Sequence, residues 1–457
     1  MDNYQSFLAS KAPKPRAVGF EPGHMHIAMR PDQKAATAFA IRQGRAGLFL
    51  DTGMGKTFNE LEWCKQCAEA SNGYALLLTP LAVARQIERE ANRWGYDARV
   101  IREQSDARPG INICNYDRLD NLDHAAFGAV ALDESSILKS FTGATTRALI
   151  AAFEGHRFKL CATATPAPND HMELGQHAQF LGIMPSNEML ARWFMSDQTE
   201  MGRYRLKKAG ETAFWDWMAS WSRCAETPAD LGFDATGFDL PPLHIIRHKV
   251  AGDIRQPIGA LFLEELSATN IHTVKRQTAE ARAQEVSRQV AIEPREPWII
   301  WCDTDYEADC LRAAIPDAIE VRGTMPVEKK EAGIAAFSEG KTRVLISKPS
   351  VCGQGMNWQH CARVAYVGRS FSYEAWYQSV RRCWRYGQTR EVQVHIMVAE
   401  GEEQIGRVID RKADDHSRMK KAMAAAMARC RETESVLKVA YNPTHAGRLP
   451  KWLKSAA

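Results

Sequence analysis

The sequence lacks several features that would place it in a specialised class of protein. Its 457 residues contain no apolar run of about 18 residues or more, so we predict no membrane span. The stretch Met1–Pro15 has no apolar core of signal-peptide length. Lysine and arginine exceed aspartate and glutamate by only four, too small an excess to indicate a nucleic-acid partner by itself. No internal repeat of fixed period is present.

The cysteines do not suggest a disulfide framework. Eleven is an odd number, and several cysteines lie in apolar stretches such as Leu160–Ala162. This pattern is typical of reduced thiols, so we expect a soluble protein of the cytoplasm. Cys64 and Cys67 have the spacing of a metal-binding pair. No second pair accompanies them, which favours a helix that buries two small apolar residues.

What is present is an alternation of short apolar runs and helical segments. Hydrophobic residues make up 45% and charged residues 25%, ordinary values for a folded chain of several domains. Such alternation predicts parallel sheets flanked by helices, with a helical insert between two α/β domains. The predicted strands are Gly47–Leu50, Tyr74–Leu78, Ile111–Cys114, Ala129–Leu132, Phe158–Cys161, Trp298–Trp301, Arg343–Ile346, Val364–Val367 and Val392–Val398.

A glycine-containing turn before a helical segment carries the first chemical motif. Gly53, Gly55, Lys56 and Thr57 match the GxGKT form. Glycines let backbone N–H groups surround a triphosphate, and the helix N-terminus adds its dipole. We expect Lys56 to reach the β- and γ-phosphates and Thr57 to ligate Mg²⁺. A stricter phosphate-loop pattern has glycine where this chain has Leu50.

An acidic pair follows another predicted strand, about 75 residues further along the chain. Asp133 and Glu134 come directly after Ala129–Leu132. Asp133 is expected to hold Mg²⁺, and Glu134 to polarise the attacking water as a general base. The alternative is an acidic pair that caps the next helix, because Ser135 and Ser136 follow. The position downstream of the phosphate loop favours the catalytic interpretation.

From about residue 28 to 400 the ordered motifs resemble the superfamily 2 helicases. Within that group the chain is similar to the Swi/Snf-like DNA translocases, in the compact form found in phages and prophages. Arg30–Gln33 is similar to the family's adenine-side glutamine element. Thr79–Leu81 is similar to its DNA-backbone motif, and Ile113–Asp117 to the strand and tyrosine that precede its acidic pair. Asp133–Ser136 with Lys139 resembles its DExx box, and Thr163–Pro166 with Asn169 resembles its TGTP-x-x-N motif.

The second alternating block continues the resemblance. Arg322–Thr324 and Ile334–Phe337 are similar to the connector between the family's fourth and fifth motifs. Ser347 with Gly353–Asn357 is similar to its fifth motif. Gln378–Gln388 closely resembles the sixth, Q-x-x-x-R-x-x-R-x-G-Q, and this is the most specific match in the chain.

The resemblance implies an α/β fold of two RecA-like parallel-sheet domains, with a helical insertion and a C-terminal helical tail. ATP is expected in the cleft between the two domains. The predicted regions are an N-terminal extension (1–28), the ATP-binding domain (29–174), the helical insertion and linker (175–245), the helicase C-terminal domain (246–400) and a basic C-terminal helix and tail (401–457).

The resemblance also implies roles for individual residues. ATP is expected to contact Arg30, Gln33, Thr52, Gly53, Met54, Gly55, Lys56, Thr57 and Gly355. Catalysis is assigned to Lys56, Asp133, Glu134, Gln378, Arg382 and Arg385, with Mg²⁺ on Thr57 and Asp133. The expected DNA contacts are Thr79, Pro80, Ser347, Gly353 and Asn357. Thr163 and Thr165 are expected to couple the acidic motif to the DNA cleft; a turn closed by hydroxyl-to-backbone bonds explains them equally well.

The arginines of the sixth motif have a spacing that suits phosphate. Arg382 and Arg385 are three residues apart, which places them on one face of a helix, where they can point together at the γ-phosphate. Gln378, four residues before Arg382, shares that face. The alternative is an exposed basic helix that pairs with solvent or with phosphate backbones. We assign that alternative to Arg381 and Arg390.

Two further segments leave alternatives open. The tryptophans between residues 191 and 221 either stack bases or, as we expect, pack a small helical subdomain. Residues 381–457 hold 16 basic and nine acidic side chains, so the whole positive excess lies at this end. That end is then the expected phosphate-facing surface, although a solvated surface helix explains the charges of its tail equally well. The tail residues concerned are Arg411, Lys412, Arg418, Lys420, Lys421, Arg429, Arg431, Lys438 and Lys451.

These observations predict an ATP hydrolase that acts as a nucleic-acid motor. Its expected partner is double-stranded DNA bound without sequence preference, its cofactor is Mg²⁺, and its expected place is the cytoplasm of a host cell, as a phage or prophage product. The chain is expected to translocate along DNA or to separate its strands. Two alternatives are a nucleotide-gated module that binds DNA or protein, and the motor subunit of a restriction or repair assembly.

Overall fold

Two parallel β-sheets, each flanked by helices, organise the chain. The computed structural model describes residues 16–80, 83–196, 204–250, 268–353, 356–399 and 403–437. We call the seven-stranded sheet with its helices the first lobe (residues 16–231) and the six-stranded sheet with its helices the second lobe (residues 243–399). Both are RecA-like α/β units, which confirms the predicted fold class. The limits of the five predicted regions stay a prediction.

The first lobe has the strand order β3-β4-β2-β5-β6-β1-β9, with every neighbouring pair parallel. Its helices are α1 (Pro31–Gln43), α2 (Lys56–Glu69), α3 (Ala84–Arg93), α4 (Ala144–Ala152), α5 (Leu174–Leu181), α6 (Ser186–Trp193) and α7 (Glu211–Trp221). Its strands are β1 (Arg45–Leu50), β2 (Tyr74–Thr79), β3 (Ala98–Val100), β4 (Gly110–Asn115), β5 (Ala129–Asp133), β6 (Phe158–Ala162), the antiparallel pair β7 (Phe194–Ser196) and β8 (Tyr204–Leu206), and β9 (Ser222–Ala225).

The second lobe has the order β10-β15-β14-β11-β13-β12, again entirely parallel. Its strands are β10 (Leu243–Val250), β11 (Trp298–Trp301), β12 (Ile319–Val321), β13 (Val344–Ser347), β14 (Arg363–Tyr366) and β15 (Val392–Ala399). Its helices are α8 (Ala268–Ile292), α9 (Asp305–Ala314), α10 (Val327–Ser338), α11 (Pro349–Cys352) and α12 (Tyr373–Val380). Helix α13 (Glu403–Leu437) follows the lobe.

The carboxyl ends of four central strands bring the predicted motifs together. Strand β1 ends at Leu50, β2 at Thr79, β5 at Asp133 and β6 at Ala162. Because β5 pairs with both β2 and β6, and β6 pairs with β1, these ends are neighbours. Ligands of open parallel sheets bind outside the carboxyl ends of the strands. The topology therefore places the phosphate loop and the acidic pair at the edge where a ligand is expected.

The tryptophan-rich segment packs as a small helical subdomain on the first sheet. Trp193, Trp215, Trp217 and Trp221 are each at most 5% exposed. The rings of Trp193 and Trp217 lie 4.7 Å apart, and Trp221 packs edge-on against Phe49 of β1. The packing interpretation is confirmed, because burial leaves none of these four rings a face for a base.

Helix α13 lies across both lobes. Ile405 and Ile409 pack against Tyr373 of the second lobe, whereas Met419 and Met423 belong to the apolar core of the first lobe. Phosphate contact and a solvated surface helix were the two expectations for the charges of this helix, but four of its basic side chains contact protein. Such contacts join Lys412 to Asn169, Lys420 to Asp51, Arg429 to Asp216, and Arg431 to the carbonyl oxygen of Asp230. Lys438 and Lys451 lie outside the described residues.

The cysteines are all free thiols, and nine of the eleven are buried. Cys64 and Cys67 belong to the first-lobe core, which confirms their structural interpretation. Across the described ranges, no three His, Cys, Asp or Glu side chains are grouped so that they could hold a metal ion. Within the same ranges, none of the helices combines the length and apolarity needed to span a bilayer.

Candidate active site between the lobes

The phosphate loop joins β1 to α2 in a tight turn that requires glycine at two positions. Gly53 and Gly55 have φ values of 94° and 83°, in the left-handed region that favours glycine. A Cβ at Gly55 would lie 2.1 Å from Nε2 of Gln33, so a larger residue there would displace the amide that supports the loop. Lys56 opens the helix, and its Nζ donates to the carbonyl oxygen of Leu50 at 2.9 Å.

Two side chains at the start of α1 support this loop. Arg30 donates from Nη2 to the carbonyl oxygen of Met54 at 2.9 Å, and Gln33 donates from Nε2 to the same oxygen at 3.2 Å. Arg30 also pairs with the buried Asp32 at 2.9 Å. The two residues predicted on the adenine side therefore touch the loop that carries Thr52, Gly53 and Met54.

Asp133 and Glu134 project from the end of β5. Glu134 has a φ of 57°, the one left-handed non-glycine residue in the described ranges. Thr79 donates from Oγ1 to Oδ2 of Asp133 at 2.8 Å, and Thr163 donates from Oγ1 to Oε1 of Glu134. Burial raises the pKa of both carboxyls, and the charge of Lys56 opposes the shift in each. A cation and two acids therefore face each other at this edge.

The two threonines of the predicted coupling motif have different surroundings. Thr165 donates from its backbone N–H to Oγ1 of Thr163 at 3.0 Å, which closes a local turn. Because Thr163 also contacts Glu134, the same hydroxyl serves both the turn and the acidic motif. The turn at Thr163 is therefore present, and the coupling of this motif to a DNA cleft stays a prediction. The hydroxyl of Thr165 is buried and has no hydrogen-bond partner among the described residues.

The oxygen donors at the loop suit Mg²⁺. Proteins hold this ion with one or two carboxylates together with substrate phosphates, and Asp133 with the hydroxyl of Thr57 supplies oxygen donors of that kind. A third acid, Glu60, lies one turn further along α2. Neither of its carboxylate oxygens has a hydrogen-bond partner in the described ranges, and burial together with the charge of Asp133 raises its pKa well above the ordinary value. The residues present fit a divalent cation.

Arg382 and Arg385 converge on one carbonyl oxygen, although not along a helix. Both donate from Nη1 to the carbonyl oxygen of Met356, at 3.1 and 3.3 Å. Helix α12 ends at Val380. The chain then forms turns, in which the carbonyl oxygen of Arg382 accepts from the backbone N–H of Trp358 at 3.0 Å. The prediction that Arg382 and Arg385 lie on one face of a helix is wrong, because these tertiary hydrogen bonds replace the next helical turn.

Arg382 is buried within electrostatic range of the acidic pair of the first lobe. Arg382 is 6% exposed, and its Nε donates to the carbonyl oxygen of Gln378 at 2.9 Å. Burial lowers the pKa of Arg382 to about 10, the charge of Arg385 adds to this shift, and the charges of Glu134 and Asp133 oppose it. Gln378 is also buried, and its Nε2 has no hydrogen-bond partner among the residues that the structure describes.

A buried group of four residues joins the phosphate loop to the second lobe and to α13. We call Asp51, Tyr377, Arg381 and Lys420 the Asp51 cluster. Tyr377 donates from its hydroxyl to Oδ1 of Asp51 at 2.5 Å, Arg381 forms an ion pair with Oδ2, and Nζ of Lys420 lies 3.3 Å from Oδ2. Burial acts to raise the pKa of Asp51, but the charges of Lys420 and Arg381 hold it below its ordinary value.

The Asp51 cluster corrects one assignment made from the sequence. Arg381 is not part of an exposed basic helix, because its side chain is 5% exposed and neutralises a buried carboxylate. Arg390, given the same assignment, is exposed and pairs with Glu296 at 2.7 Å. The two arginines therefore differ in environment, although both flank the same motif.

Three of the predicted DNA contacts lie at the ends of strands. Thr79 is buried and uses its hydroxyl on Asp133. Pro80 lines a cavity of about 350 Å³ beside the acidic pair. Ser347 is buried at the end of β13 and donates from Oγ to the carbonyl oxygen of Val321 at 2.8 Å. Their contact with DNA stays a prediction.

The remaining predicted contacts lie after α11. A Cβ at Gly353 would approach the carbonyl oxygen of Pro349 to 2.1 Å, so close packing of the backbone requires glycine there. Asn357 is exposed. Gly355, predicted to contact ATP, lies outside the described residues.

The motifs did not reveal four residues that connect the lobes: Asp51, Glu374, Tyr377 and Lys420. Glu374 on α12 contacts two residues of the first-lobe segment that follows the acidic pair. Asp51 stands inside the phosphate loop, and Glu374 and Tyr377 precede the sixth motif by less than two turns. Their positions next to motifs were visible, but no spacing indicated their partners. Lys420 had no signal beyond the basic composition of the tail.

One family matches part of the chain. Residues 282–387 match the helicase conserved C-terminal domain. The matched segment begins in α8 and ends in the turns that carry Arg382 and Arg385. A search of the curated proteins gives no significant match.

Solved structures of low sequence identity resemble the chain. A fragment assigned as the HsdR subunit of a type I restriction enzyme from Vibrio vulnificus YJ016 is 15% identical, with a TM-score of 0.55 over 88% of this chain and 71% of that chain. S. cerevisiae Dbp5 bound to RNA and ADP BeF3 is 12% identical, with a TM-score of 0.55 over 86% and 93%. The Sulfolobus solfataricus SWI2/SNF2 ATPase core in complex with dsDNA is 16% identical, with a TM-score of 0.41 over 92% and 98%. The family match thus identifies a helicase C-terminal domain within the second lobe, and the likeness to the first two structures shows a shared fold.

Proposed function

We propose that the chain is an ATP-dependent motor on nucleic acid and that it translocates along double-stranded DNA. The observation that carries the proposal is the position of Arg382, a buried second-lobe cation that lies within electrostatic range of Glu134 and Asp133 of the first lobe. A phosphate loop on one lobe and an arginine from the other are the parts that phosphoryl transfer between two domains requires. The match of residues 282–387 to the helicase C-terminal domain supports the same activity.

The first lobe would bind the nucleotide. The N–H groups of the phosphate loop and Lys56 hold the β- and γ-phosphates, and Arg30 and Gln33 lie on the adenine side of the loop. Thr57 and Asp133 would hold Mg²⁺. When bound, this ion neutralises the charge that develops on the phosphates during transfer.

The two lobes together would carry out hydrolysis. Glu134 accepts a proton from the attacking water, while Arg382 and Arg385 stabilise the charge on the γ-phosphate. Arginines in this role contribute about 10³–10⁵ in rate in related enzymes. Loss of the γ-phosphate removes the anion that these guanidinium groups hold, so the lobes separate. Repeated closure moves the lobes along a phosphate backbone, which carries no direct sequence information.

An ATPase assay with and without nucleic acid tests the proposal. We expect double-stranded DNA to stimulate turnover, and Lys56→Ala and Glu134→Gln to abolish it. Turnover that DNA leaves unchanged contradicts the motor, and stimulation by RNA alone contradicts the choice of DNA. Displacement of a triplex-forming strand, without unwinding of a forked duplex, distinguishes a translocase from a strand-separating helicase.

A nucleotide-gated clamp is the second candidate, and one observation favours it. Helix α13 and the Asp51 cluster connect both lobes, which restricts how far they separate. Such a restraint suits a protein that closes on a partner and holds it. The clamp predicts that a non-hydrolysable ATP analogue tightens DNA binding while triplex displacement is absent.

A further inference from the structure

The second lobe reaches the catalytic segment of the first lobe through Glu374. This residue of α12 is 7% exposed, and both of its carboxylate oxygens contact the helical turn Ser135–Lys139. Oε1 lies 2.6 Å from Oγ of Ser136, and Oε2 pairs with Nζ of Lys139. Both contacts cross between the lobes, so they form only when the lobes are closed.

The hydroxyl of Ser136 is shared between two carboxylates. It lies 2.6 Å from Oε1 of Glu374 and 3.0 Å from Oε1 of Glu134. A serine hydroxyl has a single hydrogen to donate, so it serves one carboxylate at a time. The shorter distance assigns that hydrogen to Glu374 in the closed arrangement. When the lobes separate, Glu134 is the acceptor that stays within reach.

The surroundings of Glu134 allow its Oε1 to bind water once Ser136 no longer donates to that oxygen. Thr163 donates to the same Oε1 from the side of β6, so Ser136 takes the second lone pair of this oxygen, and the left-handed backbone fixes the direction in which the side chain leaves the strand. The cavity of about 350 Å³ beside it is lined also by Tyr116, Ser136 and Glu374. One water occupies roughly 30 Å³ in the liquid, so the cavity gives water access to the carboxylate.

We propose that Glu374 is a positioning residue that withdraws the Ser136 hydrogen bond from Glu134 when the lobes close. Oε1 of Glu134 keeps the hydrogen bond from Thr163, and the lone pair that Ser136 leaves can accept a hydrogen bond from the attacking water. In the open arrangement Ser136 occupies the same oxygen and restrains hydrolysis. The inference rests on the proposed function, in which Glu134 is the general base. Closure of the lobes then acts on the general base Glu134 as well as on Arg382 and Arg385.

A double-mutant cycle on the full-length protein tests this role. Glu374→Ala should lower kcat about tenfold or more, with KM for ATP within about twofold, because Ser136 then donates to Glu134 in every state. Ser136→Ala should raise the turnover measured without DNA, because the Ser136 hydroxyl no longer competes with water for Oε1 of Glu134. The double variant should recover kcat to within about threefold of the wild type. A loss that persists in the double variant overturns the proposal.

Two further variants separate positioning from a structural contact. Glu374→Gln keeps an acceptor oxygen for Ser136 and should retain most of kcat, whereas loss equal to that of Glu374→Ala contradicts the role. Lys139→Met removes only the ion pair and should lower kcat less than Glu374→Ala does. An equal loss would assign the effect to Lys139 and refute the role of Ser136. A wild type that hydrolyses no ATP contradicts the proposed function itself, whereas an active wild type with an unrescued Glu374→Ala contradicts this inference alone.

Discussion

Replacing Asp51 by asparagine perturbs the Asp51 cluster with almost no change of shape. The asparagine oxygen still accepts from the hydroxyl of Tyr377, but the negative charge is gone. Arg381 and Lys420, whose side chains are 5% and 3% exposed, then face each other as buried cations. Lys420 keeps Glu226 at 3.2 Å, a partner whose side chain is 52% exposed.

The expected cost follows from this burial. Removing one partner of a buried ion pair costs about 3–5 kcal/mol, because the other charge stays out of water without compensation. Here two cations lose the same carboxylate, and the half-exposed Glu226 offsets little of the loss because water screens it. We expect Asp51→Asn to lower the free energy of unfolding by about 4–5 kcal/mol. Lys420→Met should destabilise the wild type but stabilise the Asp51→Asn variant, since there it removes an uncompensated cation.

Urea unfolding followed by tryptophan fluorescence measures both effects. The matched control is Arg418→Met, because the pair of Arg418 with Asp415 is exposed (74% and 39%) and should change the free energy of unfolding by less than about 0.5 kcal/mol. The reasoning is refuted if Asp51→Asn costs less than about 1 kcal/mol. It is also refuted if Lys420→Met has the same effect in both backgrounds, because the charges are then not coupled.

Three other perturbations have defined outcomes. Burial lowers the pKa of His177 from 6.5 to about 4, so the unfolded chain takes up a proton that the folded chain refuses. This histidine contributes about 2 kcal/mol to the loss of stability between about pH 7 and 5, and in urea titrations His177→Gln should lose about 2 kcal/mol less than the wild type over that range. Gly55→Ala should abolish binding of a fluorescent nucleotide, whereas Gly73→Ala, with a φ of 88° and open surroundings, should not; equal binding by both contradicts the steric argument. Arg382→Ala should lower kcat by about 10³–10⁵, whereas the exposed Arg390→Ala changes it less than about twofold; similar losses refute the assignment.

The fold was predictable where strands are continuous apolar runs. Helices cover both faces of each parallel sheet, so strands such as Tyr74–Thr79 and Trp298–Trp301 are buried on both sides and stand out in the sequence. Strands β9 (Ser222–Ala225) and β10 (Leu243–Val250) were not predicted. Both lie at the edge of a sheet, and their polar residues hide the apolar pattern.

The site was predictable only in its local parts. The phosphate loop and the acidic pair are contiguous motifs, and sheet topology alone brings them together. The partner of Asp51 on α12, Tyr377, is 326 residues away in sequence, and no periodicity links the two. Helical spacing placed Arg381 on the outside, but the chain leaves the helix at Val380 and turns this side chain inward. Tertiary contacts that end a helix early are invisible in the sequence pattern.

The position of α13 makes the order of synthesis matter for the first lobe. Met419 and Met423 share an apolar core with Leu48 of β1, and the backbone N–H of Cys224 contacts Sδ of Met427 from 203 residues away in sequence. The first lobe therefore leaves the ribosome early, but its core is complete only after α13 has emerged. Until then the surface that these methionines later cover is open to solvent. Exposed apolar surface of this kind promotes aggregation of nascent chains, so the interval before α13 emerges is when the first lobe would need a chaperone.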